Sequence, residues 1–335
     1  LPILRTAGVV TVALLLTLGV LAVGGYDLGS CLEAFWRGSF GSARGWGVLL
    51  TSSCPLMLTG VAVAIAFRCG ALNIGAEGQL LVGTLVATAI GINANLPAPL
   101  LVPLLLLTGI VGGGAWAAIA AGLRVWRRVP EVISTIMLNF VAVELVKFAV
   151  TGPLEGVPGT SQTREVPRNA QLWMLNTDTD LHAGILVAVI AAIIAHALVF
   201  RTVIGFELRA VGSNPTAATY AGISVPKNTL LTMFLSGGLS GLAGTVELLG
   251  RVKSLSQGFT TVGYGYTAIA VAMLARLNPL GVIASAIFFG ALASGSREMT
   301  FEPNHVPDKL VEIVRGLVVL LAVGYGVVEF RFRRD

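Results

Sequence analysis

The sequence predicts an all-α integral membrane protein of about ten transmembrane helices, and three observations carry that prediction. Of the 335 residues, 55% are hydrophobic and only 12% charged, whereas a soluble domain carries about 25% charged residues. Lipid as solvent removes the need for a charged surface. The apolar runs are continuous rather than alternating, the pattern of helices and not of a barrel. Glycine is abundant, at 41 residues, as suits helices that pack closely in a bilayer. The net charge of +5 comes from basic residues placed singly at helix ends, so no nucleic-acid partner is expected. Cys31, Cys54 and Cys69 have no metal-type spacing and read as small apolar residues.

At about 20 apolar residues per crossing, the spans fall near 6–25, 47–67, 78–95, 98–122, 131–150, 183–200, 228–248, 264–277, 280–296 and 309–329, within one membrane domain over 1–335. Residue 1 is Leu, so a start Met is expected upstream. The run 6–25 is too long for a signal-peptide core and ends in no A-x-A-like site, so it reads as a first membrane helix. The third and fourth spans are separated by a tight turn closed by Pro97 and Pro99, and the eighth span is short. An even number of spans puts both termini on one side. That side holds twelve basic residues, including Arg68, the cluster Arg124, Arg127 and Arg128, and the tail, against nine opposite. The positive-inside bias makes it the cytoplasm.

Two loops stand out. The outer loop 151–182 is polar, with three prolines and Trp173; it is read either as an ordered surface loop or as a docking site for an extracytoplasmic partner. In the inner loop 201–227, Asn214 followed by Pro215 is a helix start, and Gly222 and Pro226 end the helix. The resulting helix over 214–223 lacks the basic face and large apolar face of a headgroup-lying helix, so it reads as a piece that docks into a groove on another protein.

The most informative stretch is 59–79, TGVAVAIAFRCGALNIGAEGQ, where two apolar runs meet at a glycine-rich polar hinge. Unpaired carboxamide and backbone groups cost several kcal/mol in hydrocarbon, so such a hinge must face protein or a water-filled pathway. Its segment 61–75 is echoed by 267–281, as in transporters built from repeats with broken helices. Ionisable residues inside spans are functional candidates by default: Glu77, Glu131, Glu144, Glu247, Glu312 and Arg315. Glu131 reads as paired at a helix N-terminus and Glu312 as paired with Arg315. Glu77 either pairs with Arg68 across the hinge or lines the pathway. No phosphate-binding loop, H-E-x-x-H or G-x-S-x-G motif occurs. His182, His196 and His305 are isolated, so neither nucleotide hydrolysis nor a metal site is expected of this chain.

NIGAEGQ (73–79), VPEVISTIMLNF (129–140), LRAVGSNPTAATYAGI (208–223), YGYTAIAVAML (264–274) with NPLG, and VPDKLVEIVRGLVVL (306–320) resemble the permease subunits of bacterial nucleoside and simple-sugar ABC importers. That group belongs to the wider branched-chain amino acid and ribose permease group. The likeness covers roughly 45–325, and NIGAEGQ points to the nucleoside-type branch. The resemblance implies a bacterial inner-membrane complex of two permease subunits, identical or distinct, two cytoplasmic ATPases and an extracytoplasmic substrate-binding protein. It implies no cofactor bound by this chain and no enzymatic activity of its own. It makes the inner loop the coupling element, with Arg209, Gly212, Asn214, Pro215, Ala217, Ala218, Tyr220 and Gly222 facing the ATPase. Cys69 and Arg276 stand where the group has small, Ala-like and Gly-like residues.

A pathway for flat, polar-edged nucleosides needs carboxamides and aromatics rather than buried charge. The pathway candidates are Asn73, Glu77, Gln79, Asn139, Tyr264 and Tyr266. The alternative for the tyrosines is a membrane-interface belt. Alternative functions are a sugar permease of the same architecture, a stand-alone channel or secondary carrier, and an intramembrane enzyme.

Overall fold

The computed structural model describes residue 15, residues 18–301, and 306–307, 309–313, 316–317, 320–321 and 324. The fold is helical. In order, the main helices are α1 (Leu28–Ser39), α2 (Ala43–Arg68), α3 (Ala76–Gly91), α4 (Ala98–Arg127), α5 (Glu131–Val150), α6 (Gly184–Arg201), α7 (Val203–Ser213), α8 (Pro215–Tyr220), α9 (Val225–Glu247), α10 (Tyr264–Leu274) and α11 (Pro279–Glu298). Six of the described helices are long and apolar enough to cross a membrane: α2, α4, α5, α6, α9 with its extension to Val252, and α11. Most of the expected first span, part of the tenth, and Arg5, His305, Arg315, Arg331, Arg333 and Arg334 lie outside the described residues.

Two helices form the centre. The membrane-spanning window of α2 is 83% buried and that of α9 is 72%, against 33% for α4, α5 and α6. The central contact between α4 and α9 is made by glycine. Gly109 and Gly113 lie four apart on one helix, Gly237 and Gly241 on the other, and a Cβ built on Gly113 would lie 2.8 Å from Gly241 Cα. Such small-residue seams let backbones approach where no hydrophobic driving force exists between helices. The outward faces of α5 and α6 carry Met137, Phe140, Leu145, Phe148, Ile190 and Ile194, all exposed on this chain.

The two helices on either side of the hinge contact, α3 and α10, are apolar but too short to span. α3 has 16 residues and α10 has 11, so at 1.5 Å per residue they reach about 24 and about 16 Å across hydrocarbon about 30 Å thick. The chain enters α3 through the hinge 69–75 and leaves α10 through the turn 275–278, and the two connections share one construction. Each preceding helix ends in a backbone bond spanning five residues, from Ala71 N to Ala66 O and from Leu277 N to Ala272 O, both 2.9 Å. Each has a left-handed residue at the same place, Gly70 (φ 76) and Arg276 (φ 55), which in the second turn is followed by a further one, Leu277 (φ 57). Each then uses an asparagine oxygen to accept an N–H two residues on: Asn73 from Gly75 at 2.9 Å and Asn278 from Leu280 at 3.1 Å. The weak sequence echo is a structural one.

Before α2, α1 is an amphipathic helix that the hydrophobic runs did not reveal. Asp27 caps its start through Ser30 N at 2.8 Å. It packs on α11, where Arg37 faces Glu298 at 3.7 Å. The outer loop 151–182 is tied back onto the chain itself. Thr163 N donates to Leu255 O, Val166 N to Lys253 O and Leu172 N to Leu249 O, at 2.8–2.9 Å. A small hairpin, β1 (Met174–Asn176) with β2 (Leu181–His182), closes it. His182 is buried, and its Nδ1 accepts from Gly184 N at 3.1 Å. Burial pushes the His182 imidazole below its ordinary value, with Glu247 acting in the opposite sense. Trp173 remains 78% exposed.

The inner loop holds two helices rather than one. Asn214 ends α7 and caps α8, its Oδ1 accepting from Ala217 N at 3.0 Å. Ile223 N returns to Ala218 O at 2.9 Å around the left-handed Gly222.

Candidate functional site

The sequence-predicted pathway residues gather where the hinge meets the N-terminus of α10, but most of their polar groups are committed to one another. Asn73 and Gln79 form a reciprocal carboxamide pair, each amide nitrogen 2.8 Å from the other's oxygen. Asn73 Nδ2 also donates to Ser236 Oγ at 2.9 Å, and Ser236 in turn to Ala62 O at 2.8 Å. Both carboxamides are buried. They hold the hinge onto α2 and α9, which is the internal pairing that low-dielectric surroundings demand.

Glu77 does not pair with Arg68. Its two carboxylate oxygens accept from Gly263 N at 3.1 Å and Gly265 N at 2.5 Å, which places the charge on the free N–H groups that open α10. A buried carboxylate is favourable there because it meets orphan donors and the positive end of the helix dipole. Arg68 serves the opposite end. Its Nε donates to Leu277 O at 2.9 Å and its Nη2 to Arg276 O at 3.2 Å. The two charges flanking the hinge therefore take the two ends of one short helix. Gly265 is the contact point, for a Cβ there would lie 2.6 Å from Glu77 Cα.

Asn139 on α5 bridges the same place. Its Oδ1 accepts from Gly78 N at 2.9 Å, and its Nδ2 donates to Ile74 O at 3.0 Å and, weakly, to Tyr266 Oη at 3.4 Å. Tyr266 is 48% exposed and is the candidate whose ring is open. Tyr264, two positions before it on the other side of Gly265, points elsewhere. Its hydroxyl donates to Glu247 Oε1 at 2.9 Å and accepts from Arg251 Nη2 at 3.0 Å, and Arg251 Nε meets Glu247 Oε1 at 2.5 Å. This triad of a buried Glu247 with half-buried Arg251 and Tyr264 ties the π-helical end of α9 to the start of α10. The Tyr264 hydroxyl is thereby committed within the triad.

The remaining ionisable residues have local partners. Glu131 pairs with Arg124 and accepts from Leu72 N at 3.3 Å. Glu144 pairs with Lys147 at 2.8 Å on an exposed face. Glu312 pairs with Lys309 at 3.0 Å, Arg315 lying outside the described residues. His196 lies against Phe200, ring centroids 4.8 Å apart. Among the described residues no cluster of three His, Cys, Asp or Glu is placed to hold a metal.

In the inner loop the predicted residues divide by direction. Ala218 is buried, Arg209 lies over the Phe200 ring at 5.3 Å, and Gly212 packs on Cys69 and Gly70. Pro215, Ala217, Tyr220 and Gly222 are exposed, Tyr220 by 90%. Sequence reasoning missed Ser236, the Glu247–Arg251 pair and the carbonyl role of Arg68. The glycines on either side of Tyr264 were the one visible sign that a partner approaches the start of α10.

The family described as the branched-chain amino acid transport system / permease component matches residues 47–323. The chain is 37% identical to the guanosine ABC transporter permease protein NupP of Bacillus subtilis, over 93% of this chain and 90% of the relative. It is 38% identical to a glucose ABC transporter permease protein of Haloferax volcanii, over 82% and 75%. It is 31% identical to the nucleoside ABC transporter permease protein NupB of Lactococcus lactis, over 89% and 84%. In each of these organisms a second permease also matches, at 25%, 30% and 26% identity respectively. The matched region takes in both hinges, the half-helix between their charges and the inner loop, and on it the chain belongs to the branched-chain amino acid transport system / permease component family.

Proposed function

We propose that this chain is the permease subunit of an ATP-driven ABC importer that moves nucleosides across a bacterial inner membrane. In this reading residues 1–335 form one membrane domain of about ten spans with both termini cytoplasmic. The loop 201–227 meets the ATPase and the loop 151–182 faces an extracytoplasmic binding protein. The second permease of the pair is a distinct chain, because three organisms each carry two matching permeases of unequal likeness to this one. The chain itself binds no cofactor.

The observation that carries the coupling part is α8, a capped helix of 6 residues that presents Ala217 and Tyr220 outward. An exposed aromatic on a small-residue helix is the kind of anchor that fills a pocket on a partner. At the pathway, Tyr266 offers the stacking face, with Asn139 beside it, while Asn73, Gln79 and Glu77 hold the wall in place.

The test is ATP hydrolysis by the purified complex with its ATPase, second permease and binding protein, with and without guanosine. Stimulation that A217E/Y220A abolishes, while the two permeases still co-purify, supports both the substrate class and the coupling helix. Stimulation by glucose alone moves the chain to the second reading, a sugar permease, which the Haloferax relative favours. Absence of any ATPase association refutes the importer reading.

A further inference from the structure

The hinge touches the cytoplasmic helix α7 at one end and the half-helix α10 at both of its ends. Gly212, next to last in α7, meets the hinge backbone with nothing between: a Cβ on Gly212 would lie 2.7 Å from Cys69 C, and a Cβ on Gly70 3.0 Å from Gly212 Cα. Arg68 sits at the same junction. Its guanidinium lies 4.9 Å above the Phe200 ring that Arg209 of α7 also covers, and its nitrogens donate to the carbonyls of Arg276 and Leu277 just beyond α10. At the far end of the hinge, Glu77 holds the first N–H groups of α10, two residues of which carry the exposed Tyr266 and the triad member Tyr264.

We propose that Arg68 is the positioning residue that transmits movement of the cytoplasmic helix Val203–Ser213 to the half-helix Tyr264–Leu274, with Glu77 fixing that half-helix's other end. The inference rests on the importer reading above, and it adds the route by which the ATPase reaches the pathway. The physical basis is stiffness. A backbone-on-backbone contact with no side chain in it cannot absorb displacement by a rotamer change. A guanidinium holding two carbonyls through two of its nitrogens keeps orientation as well as distance. An 11-residue helix held at both ends moves with its holders as a rigid body. Proximity alone does not establish coupling, so the test reads coupling directly.

The complex would be placed in proteoliposomes and guanosine uptake measured per ATP hydrolysed. In a second readout, a thiol reagent labels Y266C with and without ATP; native Cys31, Cys54 and Cys69 are all buried. R68K keeps the charge but loses the planar two-carbonyl grip. It is expected to lower guanosine per ATP at least tenfold and to abolish the ATP-dependent change in Y266C labelling, with ATP hydrolysis continuing on the separate ATPase. A ratio within twofold of the wild type, with the labelling change intact, overturns the proposal. If R68K does not assemble, F200L removes the ring shared by Arg68 and Arg209 while sparing the backbone bonds, and is expected to lower the ratio about threefold by loosening the guanidinium; an unchanged ratio again overturns it. If the wild-type complex takes up no guanosine, the substrate reading fails on its own. The ATP-dependent labelling of Y266C, which needs no substrate, still decides the role of Arg68.

Discussion

The two hinges, 69–75 and 275–278, are built from the same local parts and do opposite work. Both end a helix with a five-residue backbone bond, turn through a left-handed residue and restart with an asparagine oxygen. The first then runs extended beside α10, and its charges and carboxamides reach across to three other helices. The second is a tight turn closed by Pro279, and it receives contacts through its backbone carbonyls. One repeated motif therefore yields a hinge whose flanking side chains Arg68, Asn73, Glu77 and Gln79 hold other elements, and a turn that receives Arg68 through its carbonyls. Substitutions placed in pairs, one at each hinge, test that asymmetry.

The largest difference is expected between two glycines. At Gly265 a Cβ would lie 2.6 Å from Glu77 Cα and 2.7 Å from Ala76 C, both unyielding backbone. At Gly281, beside the second hinge, the nearest atom is Ala275 O at 3.1 Å. Overpacking costs about 1–3 kcal/mol and more when the neighbour cannot move, so G265A is expected to cost at least about 3 kcal/mol and G281A about 1 kcal/mol or less. Fluorescence size-exclusion in detergent should show little folded G265A and near-normal G281A. Equal recovery would mean that the first hinge is as loosely held as the second.

The asparagines come next. N73A removes a reciprocal amide pair and a serine contact from a buried site and leaves Gln79 and Ser236 without that partner. Stranding buried polar groups costs about 1–3 kcal/mol each, so a loss of about 3 kcal/mol is expected. N278A removes only a helix cap on a half-buried turn, worth about 1 kcal/mol. Thermal unfolding of the two variants in one detergent orders them. N278A melting below N73A would break the proposed asymmetry.

The hydrophobic runs made most of the fold legible, since a bilayer forces long helices whose length can be read directly. Asn214–Pro215 and Gly222 marked the start and end of α8 because capping is chemistry between neighbours in the chain. The hinge, too, was visible as polar residues in an apolar setting. Its partners were not. Glu77 finds Gly263 and Gly265 186 and 188 residues away, and Arg68 finds carbonyls 208 and 209 residues away. A carbonyl or an amide N–H leaves no mark in a sequence, so the sequence left Glu77 either pairing with Arg68 or lining the pathway, and neither alternative named its backbone partners. Tyr264 and Tyr266 are two residues apart and read alike, yet only the fold sends one to Glu247 and leaves the other open. The helix α1 was missed because its 12 residues are amphipathic and form no continuous apolar run.

The smallest effect concerns the left-handed residues themselves. Gly70 adopts φ 76 at no steric cost, whereas Arg276 adopts φ 55 with a Cβ, which costs about 1–2 kcal/mol. R276G relieves that strain, but it loosens the unfolded chain by about 0.5–1 kcal/mol and gives up what the Arg276 side chain holds, so a net change within about 1 kcal/mol of zero is expected. Arg68 grips backbone carbonyls at this turn, and these survive the change. G70A should destabilise, because it adds a Cβ to a left-handed residue and sets that Cβ 3.0 Å from Gly212 Cα. A melting midpoint near that of the wild type for R276G and a lower one for G70A would show that the second hinge tolerates a change at its left-handed residue that the first does not. A midpoint for R276G that falls as far as that of G70A would mean that the Arg276 side chain holds the turn as firmly as the glycine contact holds the first hinge, and the asymmetry would be lost.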